Sequence, residues 1–178
     1  MTSLTKNASG SILLSQTWYL LAPVTYSATI VVTMDSSVKT VVGARSYSGV
    51  DQTTPFGAMA LSQATASGLA VTITTTMADS LICSDVDVRD LQTLTSNQTI
   101  RYKEATSGGA NAANCTSAGD DKSAPTVTSY GIFWTNGNSQ EHILEAVEIL
   151  ATGAPTPTPT PIPSGPPAGT QSMMGVGL

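Results

Sequence analysis

Residues 69–77, LAVTITTTM, decide the fold class of this chain. Apolar side chains alternate with polar ones, so Leu69, Val71 and Ile73 share one face of an extended chain and threonines occupy the other. Threonine suits an exposed strand face because its branched Cβ packs well on a pleated surface. The pattern predicts a β-strand with one buried side and one solvent-facing side.

Similar extended runs recur along the chain, separated by turn-forming clusters of Ser, Gly, Asn and Asp, among them residues 67–68 and 136–138. Many short strands at about ten-residue spacing predict an all-β fold, an antiparallel β-sandwich of jelly-roll or immunoglobulin-like type. The other predicted strands are 12–24 (as a strand pair), 28–34, 38–47, 80–88, 99–103, 127–135 and 143–150.

The end of this region contains a hairpin signal and an ambiguous segment. Asn136-Gly137 resembles the dipeptide that supplies the positive φ of a tight hairpin turn, so a chain reversal is predicted there. Residues 140–150 could form a helix with an acidic stripe. The alternation of Ile143, Glu145 and Val147 with other apolar residues favours a closing strand that is buried on both faces.

The composition excludes several classes of protein. The 178 residues carry a net charge of -5 and only 11% charged residues, so the chain lacks the cations that nucleic-acid binding requires. No run of about 18 apolar residues is present, so no membrane span is predicted within the chain. The 40% hydrophobic residues are enough to form a hydrophobic core. The 27 Thr and 21 Ser are suited to exposed strand faces.

The carboxyl-terminal part differs from the rest in composition. Residues 155–161 read PTPTPTP, and further prolines follow at positions 163, 166 and 167. Proline removes backbone donors and fixes φ, which predicts an extended, semi-rigid spacer that cannot join a sheet. We therefore divide the chain into a β-sandwich domain, 1–152, and a linker or tail, 153–178, that makes few contacts with it. Such spacers are typical of extracellular or cell-surface proteins.

The two cysteines, Cys83 and Cys115, leave two alternatives open. They could form one disulfide, or they could remain unpaired thiols. Neither has a second Cys or His at metal-ligand spacing.

The densest acidic group is Asp85, Asp87 and Asp90. Asp85 and Asp87 point to the same side of a strand and, with Asp90, could supply oxygen ligands to Ca²⁺. The commoner arrangement is a solvated face on which these carboxylates pair with arginines. Candidate partners are Arg45, Arg89 and Arg101. Apart from this calcium site, the sequence predicts no cofactor.

The sequence does not favour an enzyme. Glycoside hydrolysis needs two carboxylates on a cleft, and nothing singles out a pair among Asp85, Asp87 and Glu104. His142 is the only histidine and no G-x-S-x-G motif is present, so a serine triad is not indicated, and His142 is expected at the surface.

Few aromatic rings are available for stacking on a sugar. The candidate ligand-binding rings are Trp18, Tyr47, Tyr102 and Trp134. Neighbours on a strand face opposite ways, so one member of each adjacent aromatic pair, Trp18-Tyr19 and Phe133-Trp134, is expected in the core. Core packing of the tryptophans is the default interpretation.

The turn after the early strands has a structural explanation in every position. Gly49 allows a positive φ, Asp51 can accept from the backbone in an Asx-turn, and Pro55 ends strand pairing. Phe56 can then cover one end of the sandwich.

Two motifs resemble a β-sandwich module of bacterial secreted and surface proteins. They are YLLAP at residues 19–23 and SYSGVDQTTPFG at residues 46–57, and the resemblance extends over about Leu4 to Leu150 up to the Pro-Thr linker. The resemblance implies a non-catalytic extracellular module. Such modules usually have one or two strands upstream of Leu4, so we expect an N-terminally truncated sandwich whose uncovered sheet edge invites self-association.

We therefore predict a structural or adhesive module on a Pro-Thr stalk, with surface proteins or glycans as partners. The alternative is a carbohydrate-binding module, stabilised by calcium.

Overall fold

The computed structural model describes residues 1–9, 13–23, 29–107, 114–153 and 176–177. These ranges contain ten β-strands and no helix, so none of their elements is a helix able to cross a membrane. The strands are β1 (Thr2–Ser9), β2 (Leu13–Tyr19), β3 (Arg45–Ser46), β4 (Phe56–Thr74), β5 (Ser80–Arg89), β6 (Thr95–Ser96), β7 (Thr99–Ala105), β8 (Cys115–Ala124), β9 (Ser129–Ile149) and β10 (Val176–Gly177).

The main sheet has five antiparallel strands in the order β4, β9, β5, β8, β7, and β6 pairs with β9 beside it. β1 and β2 form a separate antiparallel hairpin. β3 and β10 make a two-residue parallel pair. Most strands are paired with partners distant in the chain, as expected when period-two segments bury their apolar sides together.

The long ribbon of β4 and β9 contributes to both layers of the fold. Its register shifts between Ala66 and Gly68, opposite residues 136–139. On one side of this irregularity, Leu69 and Trp134 pack in the same core cluster as Leu144 from the other side. The ribbon therefore folds over the sheet, and the antiparallel layers pack as a β-sandwich, which confirms the predicted fold class.

The chain reversals predicted at residues 67–68 and 136–138 are wrong, since both segments lie within long strands. The Gly and Asn-Gly residues face each other across the ribbon and form the irregularity at which it bends, a role that bulges commonly have. The strand interpretation of residues 140–150 is confirmed as far as Ile149, because β9 continues through this segment.

The strands predicted at 28–34 and 38–47 are also wrong over their described residues, apart from Arg45–Ser46. The segment 29–44 has no regular structure, although Val41 is buried against Leu13 and Ile143. Val41 covers part of the sheet without joining a hydrogen-bonded ladder, whereas Ile30, Val31, Val38 and Val42 are exposed. Local propensity does not distinguish such a segment from a strand.

β5 has two buried faces of different chemistry. Ile82 and Val86 belong to the large cluster under the folded ribbon, and we call this side of the sheet the apolar face. Cys83, Asp85 and Asp87 alternate with them and lie on the opposite side, which we call the polar face. The hairpin β1–β2 and the segment that contains β3 cover the polar face, so the predicted solvated acidic face is wrong.

The turn before β4 has the predicted geometry. Gly49 has a φ of 72°. Oδ1 of Asp51 accepts hydrogen bonds from the backbone N–H of Thr53 at 2.7 Å and of Thr54 at 2.8 Å, which is an Asx-turn. These bonds lower the pKa of the Asp51 carboxyl. Phe56 packs edge-on against Tyr19, with ring centroids 4.9 Å apart.

Most of the predicted tail lies outside the described residues. The exception is β10, near the carboxyl end of the tail, which pairs with Arg45–Ser46 and so contacts the domain. The expectation that the chain beyond residue 153 makes few contacts can therefore be compared only at this pair, and there a contact is present.

Cys83 and Cys115 are both free and buried, which contradicts the disulfide alternative. Cys83 pairs in register with Asp121, and Cys115 pairs with Arg89, six positions away along β5. At about 3.3 Å per residue, this offset exceeds the reach of a disulfide several-fold.

Both thiols are expected to be unreactive in the folded protein. Burial raises the pKa of Cys83 and raises that of Cys115 to about 12, so little thiolate forms at neutral pH. A thiol-reactive chromophore should label no cysteine in the native, unreduced chain and two per chain in denaturant. Labelling of fewer than two thiols in unreduced denaturant would show that a disulfide exists.

Candidate functional site

A buried arginine organises the polar face. Arg45 reaches this face from β3, and its side chain is only 4% exposed. Nη2 donates to Oδ2 of Asp85 at 2.7 Å, and Nη1 lies 3.3 Å from Oδ1 of Asp121. Nη1 also donates to the backbone carbonyls of Ser84 and Asp120, at 3.2 and 2.8 Å. Arg45 thus ties the covering segment to β5 and β8.

Two tyrosines and a second arginine extend this cluster to the surface. The hydroxyl of Tyr47 donates to Oδ1 of Asp121 at 2.5 Å, and Nε of Arg101 donates to its Oδ2 at 2.5 Å. The hydroxyl of Tyr102 donates to Oδ1 of Asp85 at 2.8 Å. Burial raises the pKa of Asp85, and the charge of Arg45 opposes this shift. We call Arg45, Asp85, Asp121, Tyr47, Tyr102 and Arg101 the arginine cluster.

The ring of Tyr102 is held between two glycines. A methyl group at Gly119 of β8 would collide with this ring and lie 2.7 Å from Oδ1 of Asp85, and a methyl group at Gly43 would collide with the other side of the ring. The absence of a Cβ at both positions therefore lets Tyr102 lie flat over the sheet and reach Asp85.

Gly119→Ala should lower the free energy of unfolding by about 1–3 kcal/mol, because the ring of Tyr102 must move away from Asp85. The matched control is Gly68→Ala in β4, where a Cβ meets no atom within 4 Å, and which should not be destabilising. Urea unfolding measures both. Equal effects of the two substitutions would contradict this account of the packing.

Glu145 is the second buried ionisable group of the polar face. Its Oε2 accepts from Thr5 Oγ1 at 2.7 Å, Asn7 Nδ2 at 3.3 Å and Thr17 Oγ1 at 3.5 Å. All three donors belong to the hairpin β1–β2, so this carboxyl attaches the hairpin to the sheet. Burial raises the pKa of Glu145 to about 8, and nearby Asp85 adds to the rise.

The apolar face holds two further buried carboxyls. Asp120 accepts from the hydroxyls of Ser84 and Ser96, and Ser84 Oγ also accepts from Nε1 of Trp134 at 3.1 Å. Glu148 accepts from the backbone N–H groups of Ala58, Thr76 and Met77 at 2.8–3.1 Å. These carboxyls connect strands and satisfy backbone donors inside the sandwich.

The candidate metal ligands are not arranged as a metal centre. Asp85 is bonded to Arg45 and Tyr102, and Asp87 is buried on the same face. Asp90 lies beyond the end of β5 with a φ of 70°, and its Oδ1 accepts from the N–H of Leu91. In the described ranges, no three His, Cys, Asp or Glu residues form a group that could hold a metal ion.

The candidate stacking rings do not share a surface. Trp134 is 1% exposed and belongs to the core, so its assignment as a ligand-binding ring is wrong, while its neighbour Phe133 is 49% exposed. This pair confirms the expected division between core and surface. Trp18, Tyr47 and Tyr102 are half-buried. Tyr47 and Tyr102 are joined through the arginine cluster, and no described contact brings Trp18 to them.

Sequence reasoning places His142 wrongly and does not identify Glu145 as a site residue. His142 is 1% exposed within β9, where burial lowers its pKa, so the expected surface position is wrong. Glu145 and Asp121 were not singled out. The only sequence signal for Glu145 was its place among apolar residues in the closing strand, which predicts burial on both faces.

The cavities of this region are small or open. Glu145 borders a cavity of about 50 Å³ between β1 and β4, which has room for a water molecule or two. A more open depression of about 320 Å³ is lined by Arg45, Tyr47, Arg101 and Asp121, together with Ala44 and Ser46. The first is too small for an organic substrate, and the second is at the lower limit of ligand pockets.

No protein family, curated protein or solved structure matches the chain in the comparisons made.

Proposed function

We propose that this chain is a non-catalytic structural or adhesive module of an extracellular or cell-surface protein, held on its Pro-Thr segment. The observation that carries the proposal is that the carboxyl groups of the polar face bond within the protein. Asp85, Asp121 and Glu145 bond to Arg45 or to the covering hairpin, and all are buried. Carboxyls that hold strands together are not free to act on a substrate.

The exposed surface of the described residues supports the same proposal. It is rich in threonine and serine, and Phe133 is the only aromatic side chain there that is largely exposed. A single ring does not make the flat or grooved platform on which sugar-binding sandwiches stack several rings.

One observation favours a carbohydrate-binding module as a second candidate. The depression of about 320 Å³ combines the half-buried Tyr47 with Arg101, whose side chain is 52% exposed. A ring beside a charged donor is the combination that orients a polar ligand in a shallow site.

The test presents the purified full chain to a glycan array and to a panel of chromogenic glycosides and esters. We expect neither retention nor turnover, and we expect beads coated with the chain to adhere to each other or to cell-surface protein. Turnover that is lost in Asp85→Asn would overturn the proposal. Retention on a glycan that is lost in Arg101→Ala would replace it with the second candidate.

A further inference from the structure

The two edge strands of the main sheet differ in their protection against pairing. β7 carries Arg101, Lys103 and Glu104 within seven residues and has a register irregularity next to Arg101. Charges and bulges are the devices by which edge strands avoid further pairing. β4, at the opposite edge, has 19 residues and contains no Asp, Glu, Lys, Arg or Pro.

The outer edge of β4 is accessible over its regular part. Register shifts after Phe56 and after Ala66 leave Met59 to Ala66 as an uninterrupted stretch. Leu61, Gln63, Ala64 and Thr65 are exposed within it. Among the described residues, the backbone of this stretch is hydrogen-bonded to β9 alone.

Length and proline content limit which segments of the chain could cover this edge. The internal segments outside the described ranges have three, five and six residues, each shorter than the eight residues of the free stretch. The carboxyl-terminal segment 154–175 is longer, and its prolines, which end at position 167, remove the donors that an added strand needs over that part of the segment.

The charge distribution indicates which partner fits. Two copies of this chain, each with a net charge of -5, repel one another over most of their surfaces. The edge of β4 is neutral and its outward residues are small or uncharged, so two copies can approach there without bringing like charges together. Lys6 borders the same small cavity as Met59 and Leu61, at one end of the stretch.

We propose that the edge of β4 from Met59 to Ala66 pairs antiparallel with the same edge of a second copy of this chain. A two-fold axis perpendicular to the sheet at Gln63 places Gln63 opposite Gln63 of the second copy, which keeps same-face residues opposite each other and joins two main sheets into one. The dimer identifies a second copy of this chain as the partner in the adhesive function proposed above. Its biological role rests on that proposed function, whereas the contact itself does not. Displayed in many copies, such a weak contact gains strength through multivalency.

The first measurement is the mass of the full chain in solution as a function of concentration. An interface of one strand per copy is small and therefore weak, so we expect a shift from monomer towards dimer between roughly 10 μM and 1 mM. Gln63→Lys with Thr65→Lys places like charges at the two-fold axis and should leave only monomer over this range. Glu104→Lys changes the net charge equally, but on β7, and should still dimerise.

Hydrogen exchange provides a readout that does not depend on the variants. The amides of residues 60–65 that point away from β9 should exchange more slowly at high than at low concentration of the wild-type chain, whereas those of β7 should not change. A wild-type chain that stays monomeric, or a dimer that persists in the two-lysine variant, would overturn the proposal. Glycan retention or turnover would overturn the adhesive function and leave this dimer contact unaffected.

Discussion

Arg45→Met is expected to lower the free energy of unfolding by about 3–5 kcal/mol, the usual cost of removing one partner from a buried ion pair. The substitution keeps an apolar stem of similar length but leaves Asp85 and Asp121 buried without their shared cation. It also removes the donor to the carbonyls of Ser84 and Asp120. Urea unfolding at neutral pH measures the effect.

The matched control is Arg101→Met. Arg101 bonds to Asp121, as Arg45 does, but its side chain is 52% exposed. The loss of unfolding free energy should therefore stay below about 1 kcal/mol. Adding Asp85→Asn and Asp121→Asn to Arg45→Met should restore part of the stability, because the uncompensated charges are removed. If Arg45→Met were no more costly than Arg101→Met, the arginine cluster would not stabilise the polar face.

Glu145→Gln is expected to make the protein more stable in mild alkali. The folded-state pKa of this carboxyl is about 8, above its ordinary value of 4.5, so the folded chain holds the proton more tightly than the unfolded chain. Its contribution is therefore fully present below about pH 4.5 and is lost as the pH rises through 8. The total loss is on the order of 5 kcal/mol.

Glutamine cannot ionise, and its amide oxygen can still accept from Thr5 and Thr17. Urea midpoints from pH 5 to pH 9 should thus fall less steeply in Glu145→Gln than in the wild-type chain. Some slope should remain, because burial also raises the pKa of Asp85 and Asp120. Glu104→Gln, on the exposed strand β7, is the control and should retain the wild-type slope. An unchanged slope in Glu145→Gln would contradict the assigned protonation.

Much of the fold was predictable because side-chain alternation is a local property. The period-two pattern of residues 69–77 and of the closing strand predicted extended chain, and both segments are strands. The Asx-turn at Asp51 was equally predictable, since its donors lie within three residues. The long ribbon was not predictable. An Asn136-Gly137 pair occurs at a bend within a strand as readily as at a chain reversal, and only the pairing with the opposite strand decides between them.

The candidate site was harder to predict than the fold. Asp85 was recognised as part of an acidic group, and Arg45 was among its expected partners. Their burial was not anticipated, nor was the role of Glu145, which depends on a hairpin about 130 residues away in the chain. The apolar residues around Glu145 predicted that it would be buried, but nothing near it in the sequence identified its donors.

The sequence alone therefore determined the extended chain of residues 69–74 and 143–149, the turn at Asp51 and the absence of charge along β4, because each depends on neighbouring residues. The tertiary structure decided which polar residues are internal. A strand with apolar residues on one side and carboxylates on the other is compatible with a solvated face. Here the hairpin and the segment around Arg45 cover that face, and beneath them the carboxyl groups are buried and hydrogen-bonded inside the protein.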